Sequence, residues 1–395
     1  MSCYFDSKQK KDCFNCGACM VLCPVKAITM KKDKCGYYFP YIDDEKCISC
    51  GKCKKNCINE NRQKFINKTI KAFVLKNKDL NIRKKSASGG ISSILMNYVI
   101  ENGGVVYGVG YSKNMEVVHK RAITLKECEQ FKTSKYVRSN MMECYSQILN
   151  DLKTEKMVLF TGTPCQVAGV KSAIPLRYHG NLILCEIMCD AVASPVFFEK
   201  FKKYIEVKYK KKIDNINFRS KKNGAHNMSM EITFVDNTNI VMPIKEKNDF
   251  SDYMQIYGCG LSAPYSCLNC EFENMDERVS DLTIGDYWGK KEIIKDDNIG
   301  ISMLFLNTEK AVNLFDNYIN EKVEYKEVTV EQALNNNHKA HKNIVLNKDL
   351  FMKDLPIDDY DELINKYVNK YAWRTKIGKI IPKNLKSFLK KIIGK

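Results

Sequence analysis

Cysteine spacing constrains this chain more than any other feature. Cys13, Cys16, Cys19 and Cys23 form one run, CFNCGACMVLCP, and Cys47, Cys50, Cys53 and Cys57 form a second, CISCGKCKKNCI, shifted by 34 residues. Both read C-x2-C-x2-C-x3-C, with a proline behind the fourth cysteine only at Pro24; Ile58 takes that place in the second run. Three thiolates on a tight loop reach three irons of an iron-sulfur cube, so the fourth must come from elsewhere. Zinc sites pair two C-x2-C knuckles, and disulfide frameworks belong to small secreted chains. The runs are therefore a cluster-binding repeat. Gly17 and Gly51 stand between the second and third cysteines, where a missing side chain lets backbone amides approach sulfur.

The two runs resemble the bacterial two-cluster ferredoxin arrangement, in which the fourth cysteine of each run serves the other cluster. The resemblance implies one 4Fe-4S cube on Cys13, Cys16, Cys19 and Cys57 and another on Cys47, Cys50, Cys53 and Cys23.

At 395 residues the chain has room for two or three domains, and the repeat uses only the first 60 or so. The opening MSCYFDSKQKKDC is polar and broken by charge, so no secretory leader is expected. With 18 cysteines this points to a reducing, cytoplasmic setting. No apolar stretch approaches the roughly 18 residues of a membrane span. The net charge of +18 comes from lysines spread along the whole chain beside Asn and Ile, a compositional bias rather than a binding stripe, so no nucleic-acid partner is expected. The exception is the tail. From Trp373 onward there is no acid, while Ile377, Ile381, Leu385, Phe388, Leu389 and Ile392 recur at helical spacing. Such an end suits peripheral contact with an anionic inner membrane face, or packs on its own domain with a solvated lysine face; Pro382 limits its length.

Beyond the repeat, strand and helix patterns alternate. Residues 71–75 and 105–109 read as buried strands and 88–101 as a helix between them. The SASGG stretch puts Ser88, Gly89 and Gly90 at that helix's start, which suits a phosphate or an ordinary cap. Val158, Leu159 and Phe160 form an apolar run that breaks at TGTPCQ, so Thr161, Gly162, Thr163, Pro164 and Cys165 sit on a turn at the carboxyl end of a strand, where open α/β sheets bind ligands. Further cysteines follow at Cys185 and Cys189, then Cys267 and Cys270 in SCLNCE. Cys165 on its turn reads as a nucleophile, a cluster ligand or inert packing; with Cys189 and the C-x2-C pair it makes four thiolates for a third cluster, and zinc or a redox-active dithiol at Cys267 and Cys270 are the alternatives. Cys3, Cys35, Cys128, Cys144 and Cys259 read as structural. His338 and His341 read as part of a solvated face, and Gly104, Gly108 and Gly110 fail the dinucleotide fingerprint because no helix opens behind them.

The stretches SASGGISSIL, GGVVYGVGY, TSKYVRS, VLFTGTPCQVAGVKS, CEIMCDAVASP, INFRSKKNG and SCLNCEFENMDERVSDLTIGDYWG resemble the beta subunit family of coenzyme F420 hydrogenases and dehydrogenases. The resemblance implies an α+β ferredoxin-like cluster domain at 1–65, followed by an α/β body with a mixed sheet. That body would comprise an N-terminal module at 66–155, a C-terminal module at 156–355 binding flavin and a cluster, and a basic tail at 356–395. It also implies FAD and a third 4Fe-4S cluster on Cys165, Cys189, Cys267 and Cys270. Ser88, Gly89, Gly90, Ser134, Lys135, Tyr136, Thr161, Gly162 and Thr163 become candidates for contacting FAD or a second nucleotide. Arg278, Asp281, Asp286 and Trp288 are candidates for tuning the flavin or shielding the cluster, or else belong to a buried strand with a polar end. The chain departs from the family at Asp190 and Ala191, where CDA replaces the usual CHG, and in carrying its own ferredoxin domain, which leaves the deazaflavin substrate open. A flavin converts between hydride carriers and one-electron cubes. The expected function is thus an oxidoreductase passing electrons between a hydride carrier or small organic substrate, a polysaccharide precursor among the options, and a ferredoxin-like or redox-enzyme partner. The alternative is a non-catalytic electron-transfer subunit docked on a separate enzyme.

Overall fold

A computed structural model describes residues 4–273, 277–289, 292–334 and 347–368. The tail from Trp373, Cys3, and the pair His338 and His341 lie outside the described residues. Strand β1 (Ile28–Lys32) pairs antiparallel with β2 (Tyr38–Ile42), between the two cysteine runs. Each run ends in a short helix, Ala18–Leu22 and Lys52–Lys55, whose N-cap is Gly17 (φ 79°) or Gly51 (φ 67°). Both caps are left-handed, a conformation L side chains rarely adopt, which explains glycine at the same place in each run.

The body is built on strands β3 (Asn67–Lys68), β4 (Lys71–Asn77), β5 (Val105–Tyr111), β6 (Val117–Ala122), β7 (Val158–Gly162), β8 (Leu182–Ile187), β9 (Ile213–Ser220), β10 (Ser229–Phe234), β11 (Asn239–Pro243), β12 (Glu277–Arg278), β13 (Leu282–Asp286), β14 (Ser302–Leu306) and β15 (Val323–Val328). Eight of these form one mixed sheet in the order β15-β4-β14-β13-β8-β7-β5-β6. Its centre, β13-β8-β7-β5, is parallel, and antiparallel strands close both sides. The central strands are continuous apolar runs because both of their faces are covered. Val106, Leu159 and Ile183 pack under helix Ile91–Glu101, whereas Val105, Tyr107, Val158, Phe160, Leu182 and Leu184 pack under helices Cys144–Lys153 and Pro164–Ala173. This is the period-two alternation of a strand.

The sheet draws strands from both sides of residue 155. The expected helix at 88–101 begins only at Ile91, because Gly90 (φ 87°) caps it in a left-handed conformation. Gly89 is needed for packing: a Cβ there would meet the Ser302 backbone N at 2.7 Å and the Leu75 carbonyl at 2.8 Å. The antiparallel sheet β11-β10-β9 forms a second layer with helices Pro195–Tyr209 and Asp249–Gly258. Residues 360–368 form a helix that buries Tyr360, Leu363, Ile364, Tyr367 and Val368 in the same core, so packing continues past the expected end of the body at 355. Among the described residues, no helix is long and apolar enough to cross a membrane.

The cysteine-run module is not a loose appendage. Phe14, Ala18, Ile58 and Phe65 belong to the core beneath helix Pro164–Ala173, while Cys35, Tyr37 and Phe39 belong to the core beneath helix Pro195–Tyr209. Phe197 is fully buried there, stacked on Tyr253 at 5.0 Å and packed against Phe351 and Tyr360. Phe197→Ala is expected to cost about 3–5 kcal/mol, read as a drop in the urea midpoint at unchanged slope.

Candidate functional site at the sheet's carboxyl edge

The parallel strands β7, β8 and β13 all end on one edge of the sheet, and a cavity of about 350 Å³ opens there. This is where an open α/β sheet leaves a crevice for a ligand. Thr161, Gly162 and Thr163 line it from the end of β7; Ile187, Met188, Cys189, Asp190 and Ala191 from β8; Ile284, Gly285, Asp286 and Trp288 from β13. Ser86 to Ser88 and Gly90 close one wall, and the 131–139 loop closes another with Ser134, Lys135 and Tyr136. Of the nine residues expected to contact a nucleotide, eight line this cavity. Gly89 does not: its amide donates to Ser302 Oγ at 2.9 Å.

Charge inside the cavity is organised by Arg219, which sequence reasoning passed over in the INFRS stretch. Its guanidinium pairs with Asp286 at 2.8 Å, donates to the Tyr136 hydroxyl at 3.2 Å and to the Ala87 carbonyl at 3.1 Å, and lies 5.6 Å from the Trp288 ring centroid. Burial opposes its charge, but Asp286 and Tyr136 hold its pKa above the ordinary arginine value. Burial, with Lys120 adding repulsion, pushes the Lys135 ammonium down to about 7. Burial likewise lowers the buried His119 imidazole to about 4; its ring stacks on Phe160 and bridges the Thr161 carbonyl and Ser139 Oγ, both at 3.0 Å.

The tuning candidates divide. Asp286 and Trp288 line the cavity. Asp281 and Arg278 are structural: Asp281 accepts from the Leu184 amide at 2.8 Å and from Thr308 at 2.9 Å, and Arg278 is fully buried in a pair with Glu186. Asp281 follows β12 rather than ending β13, so it faces the backbone of β8 instead of the crevice.

Four cysteines scattered over more than a hundred residues meet behind the cavity wall. Cys165 opens helix Pro164–Ala173, Cys189 follows β8, and Cys267 and Cys270 bracket the end of the short helix Tyr265–Asn269. Cys189 feels the charges of Cys267, Cys165 and Cys270, and burial followed by that repulsion drives its thiol pKa well up. Burial and Cys165 push Cys267 up to about 12. Buried thiols crowded in this way resist ionising together unless a strongly cationic core accepts them, which suits the donor set of an iron-sulfur cube. Among the described residues, no three His, Cys, Asp or Glu side chains are arranged to share one metal ion. Cys185 stays out of the group, fully buried on the other sheet face with Leu159 and Leu282. Cys35, Cys128 and Cys144 are buried, and Cys259 packs against a core.

The first cysteine run lies directly against this group. Cys19 feels Cys16, Cys13 and Cys53, which brings the two runs together, and Cys16 in turn feels Cys165. Arg138, in the TSKYVRS stretch, spans the junction. It donates to Cys165 Sγ at 3.2 Å, to the Phe14 carbonyl at 2.8 Å and to the Asn15 carbonyl at 2.9 Å. Burial works against its charge, but the Cys165, Cys267 and Cys16 sulfurs keep its pKa above the ordinary arginine value. Tyr145 donates to the Cys16 carbonyl at 2.7 Å, and Gly169 has no room for a side chain, since a Cβ there would stand 2.8 Å from Cys16 Cβ. The motif signalled Arg138 without saying what it touches.

Residues 155–333 match the family described as the C-terminal region of the beta subunit of coenzyme F420 hydrogenase/dehydrogenase, and residues 12–61 match the 4Fe-4S dicluster domain. No curated protein matches the chain. Among solved structures, a chain of the F420-reducing [NiFe] hydrogenase complex from Methanosarcina barkeri is 16% identical, with a TM-score of 0.42, covering 78% of this chain and 93% of that one. The two matched regions make this an iron-sulfur chain of the oxidoreductase, electron-transfer type. What the chain is similar to is thus the C-terminal region of the beta subunit of coenzyme F420 hydrogenases and dehydrogenases, behind a 4Fe-4S dicluster domain at residues 12–61.

Proposed function

We propose that the chain is an iron-sulfur flavoenzyme that moves electrons between a hydride carrier or small organic substrate, at FAD in the sheet-edge cavity, and a one-electron protein partner. Its third cube is held by Cys165, Cys189, Cys267 and Cys270, and its N-terminal pair by the two runs as the ferredoxin arrangement divides them. The observation that carries this is the position of Cys189, which lines the cavity while sharing the charge environment of Cys165, Cys267 and Cys270. A redox group in the cavity therefore has a cluster ligand as its neighbour, and Cys165 has Cys16 of the first run as its own.

When bound, FAD supplies the exchange between paired and single electrons. The chain's own groups bind and orient. Ser88, Thr161 and Thr163 offer hydroxyls, and Gly162 and Gly90 offer close backbone approach. Arg219, fixed by Asp286, and Lys135 present positive charge to phosphate or to a ring that gains electrons. Tyr136, Tyr257 and Trp288 provide aromatic walls that exclude water, with the Tyr257 hydroxyl tied to the Ala191 carbonyl at 3.1 Å. Arg138 offsets the negative charge that gathers on the junction whenever a neighbouring cube is reduced. The 66–155 and 156–355 segments act as one flavin-and-cluster body.

Three outcomes test this. Anaerobically purified protein should contain roughly twelve irons per chain and one flavin, and Cys189→Ser should fall to roughly eight irons; flavin absent at any stoichiometry sinks the enzyme in favour of an electron-transfer subunit. Arg138→Met should lower the midpoint potential of the body cluster by about 60 mV, a tenfold change in equilibrium, with Arg138→Lys intermediate, followed by potentiometric electron paramagnetic resonance. Lys135 is charged below its pKa of about 7 and neutral above it. Flavin retention on dialysis should therefore weaken as pH rises from 6 to 8, and Lys135→Met should flatten that dependence.

A further inference from the structure

The two cysteine runs differ in exposure. Phe14, Asn15, Gly17 and Ala18 of the first are buried against the body, whereas every residue from Asp44 to Lys52 in the second is exposed, with Ile48 at 61%. Cys47 and Cys50 are exposed as well. The loop from Cys47 to Cys57 carries Lys52, Lys54 and Lys55 and no acid. Lys54 pairs with Asp6 at 2.8 Å, and Lys46, just before the loop, pairs with Asp43 at 2.7 Å. Among the described residues, the exposed Lys52 and Lys55 ammonium groups have no carboxylate partner. Asp44 and Glu45 lie at the loop's entrance. Residues 1–65 hold thirteen Lys and Arg against seven Asp and Glu, a third of the chain's net charge in a sixth of its length.

We propose that the lip of the second run, with Ile48 at its centre and Lys52 and Lys55 at its edge, is the docking face for an acidic one-electron carrier protein. The inference rests on the cluster ligation proposed above but not on the flavin. Arg138, Tyr145 and Met142 pack against the first run, and its cysteines are less exposed than Cys47 and Cys50, so among the described residues the second run offers a partner the more open approach. A small apolar contact ringed by cations fits a carrier whose own redox centre is ringed by carboxylates, and opposite charges speed encounter without requiring tight binding. The transfer balances as one electron leaving a reduced cube for the carrier's oxidised centre, with no bond made or broken.

The test uses the full chain, reduced anaerobically with dithionite, freed of excess reductant and mixed in stopped flow with an oxidised, acidic [2Fe-2S] ferredoxin. The second-order rate constant is expected to fall about tenfold or more between low and high salt. Basic cytochrome c in place of the ferredoxin should show the opposite trend. Lys52→Glu/Lys55→Glu should slow the ferredoxin reaction about tenfold at low salt while iron content stays at the wild-type value; if iron is lost, Lys55→Gln replaces it. A ferredoxin rate that is flat or rising with salt, or unchanged in the charge-reversed protein, overturns the proposal. A chain that lacks flavin should still react at the wild-type rate, so failure of the flavoenzyme reading is seen separately.

Discussion

The junction between the first cysteine run and the body depends on the buried guanidinium of Arg138. Its fork reaches Cys165 on the body and two carbonyls of the first cysteine run. A buried cation is costly alone, and what stabilises it is a set of partners drawn from two parts of the chain more than a hundred residues apart. Removing the body leaves those carbonyls without their donor, and removing the run leaves the arginine half-satisfied. The interaction therefore fixes how the dicluster module sits, not merely that it is attached.

The second organising constraint is the parallel centre of the eight-stranded sheet. Parallel strands all end on one edge, so β7, β8 and β13 deliver their following loops to one place although they are far apart in sequence. Thr161, Cys189 and Asp286 become neighbours of a single cavity for that reason. The same geometry puts Cys165 at the first turn of the helix after β7 and Cys189 just beyond β8, while Cys185 within β8 points into the opposite core. Because β8 ends at Ile187, Cys189 leaves the face that Cys185 occupies, and a packing thiol is separated from one that meets other sulfurs.

Much of this was legible in the sequence, for local reasons. The cysteine triplets, their glycines and the turn after an apolar strand are short-range signals, and eight of the nine candidate nucleotide contacts line one cavity. The misses are long-range. Gly89 has the composition of a phosphate loop but is required by the close passage of β14. Asp281 and Asp286 are five residues apart in one motif, yet only the second reaches the crevice, because the first binds the backbone of a neighbouring strand. Arg219 and Arg138 each sit in recognisable stretches, but partners such as Asp286 and Phe14 come from distant segments that no periodicity connects to them. Strand pairing across residue 155 is equally invisible in the sequence, because pairing in the sheet ignores chain order.

Gly169 carries a consequence for how such a protein is put together. With no side chain at that turn of the helix, Cys16 is pressed against the helix backbone, and Tyr145, Met142 and Arg138 close over the same loop. On the proposed ligation each N-terminal cube draws one thiolate from the other run, so the two runs must be brought together before either cube has its full set of ligands. Loading the cubes thus depends on the pairing of the two runs, which the seat of Cys16 against Gly169 holds in place.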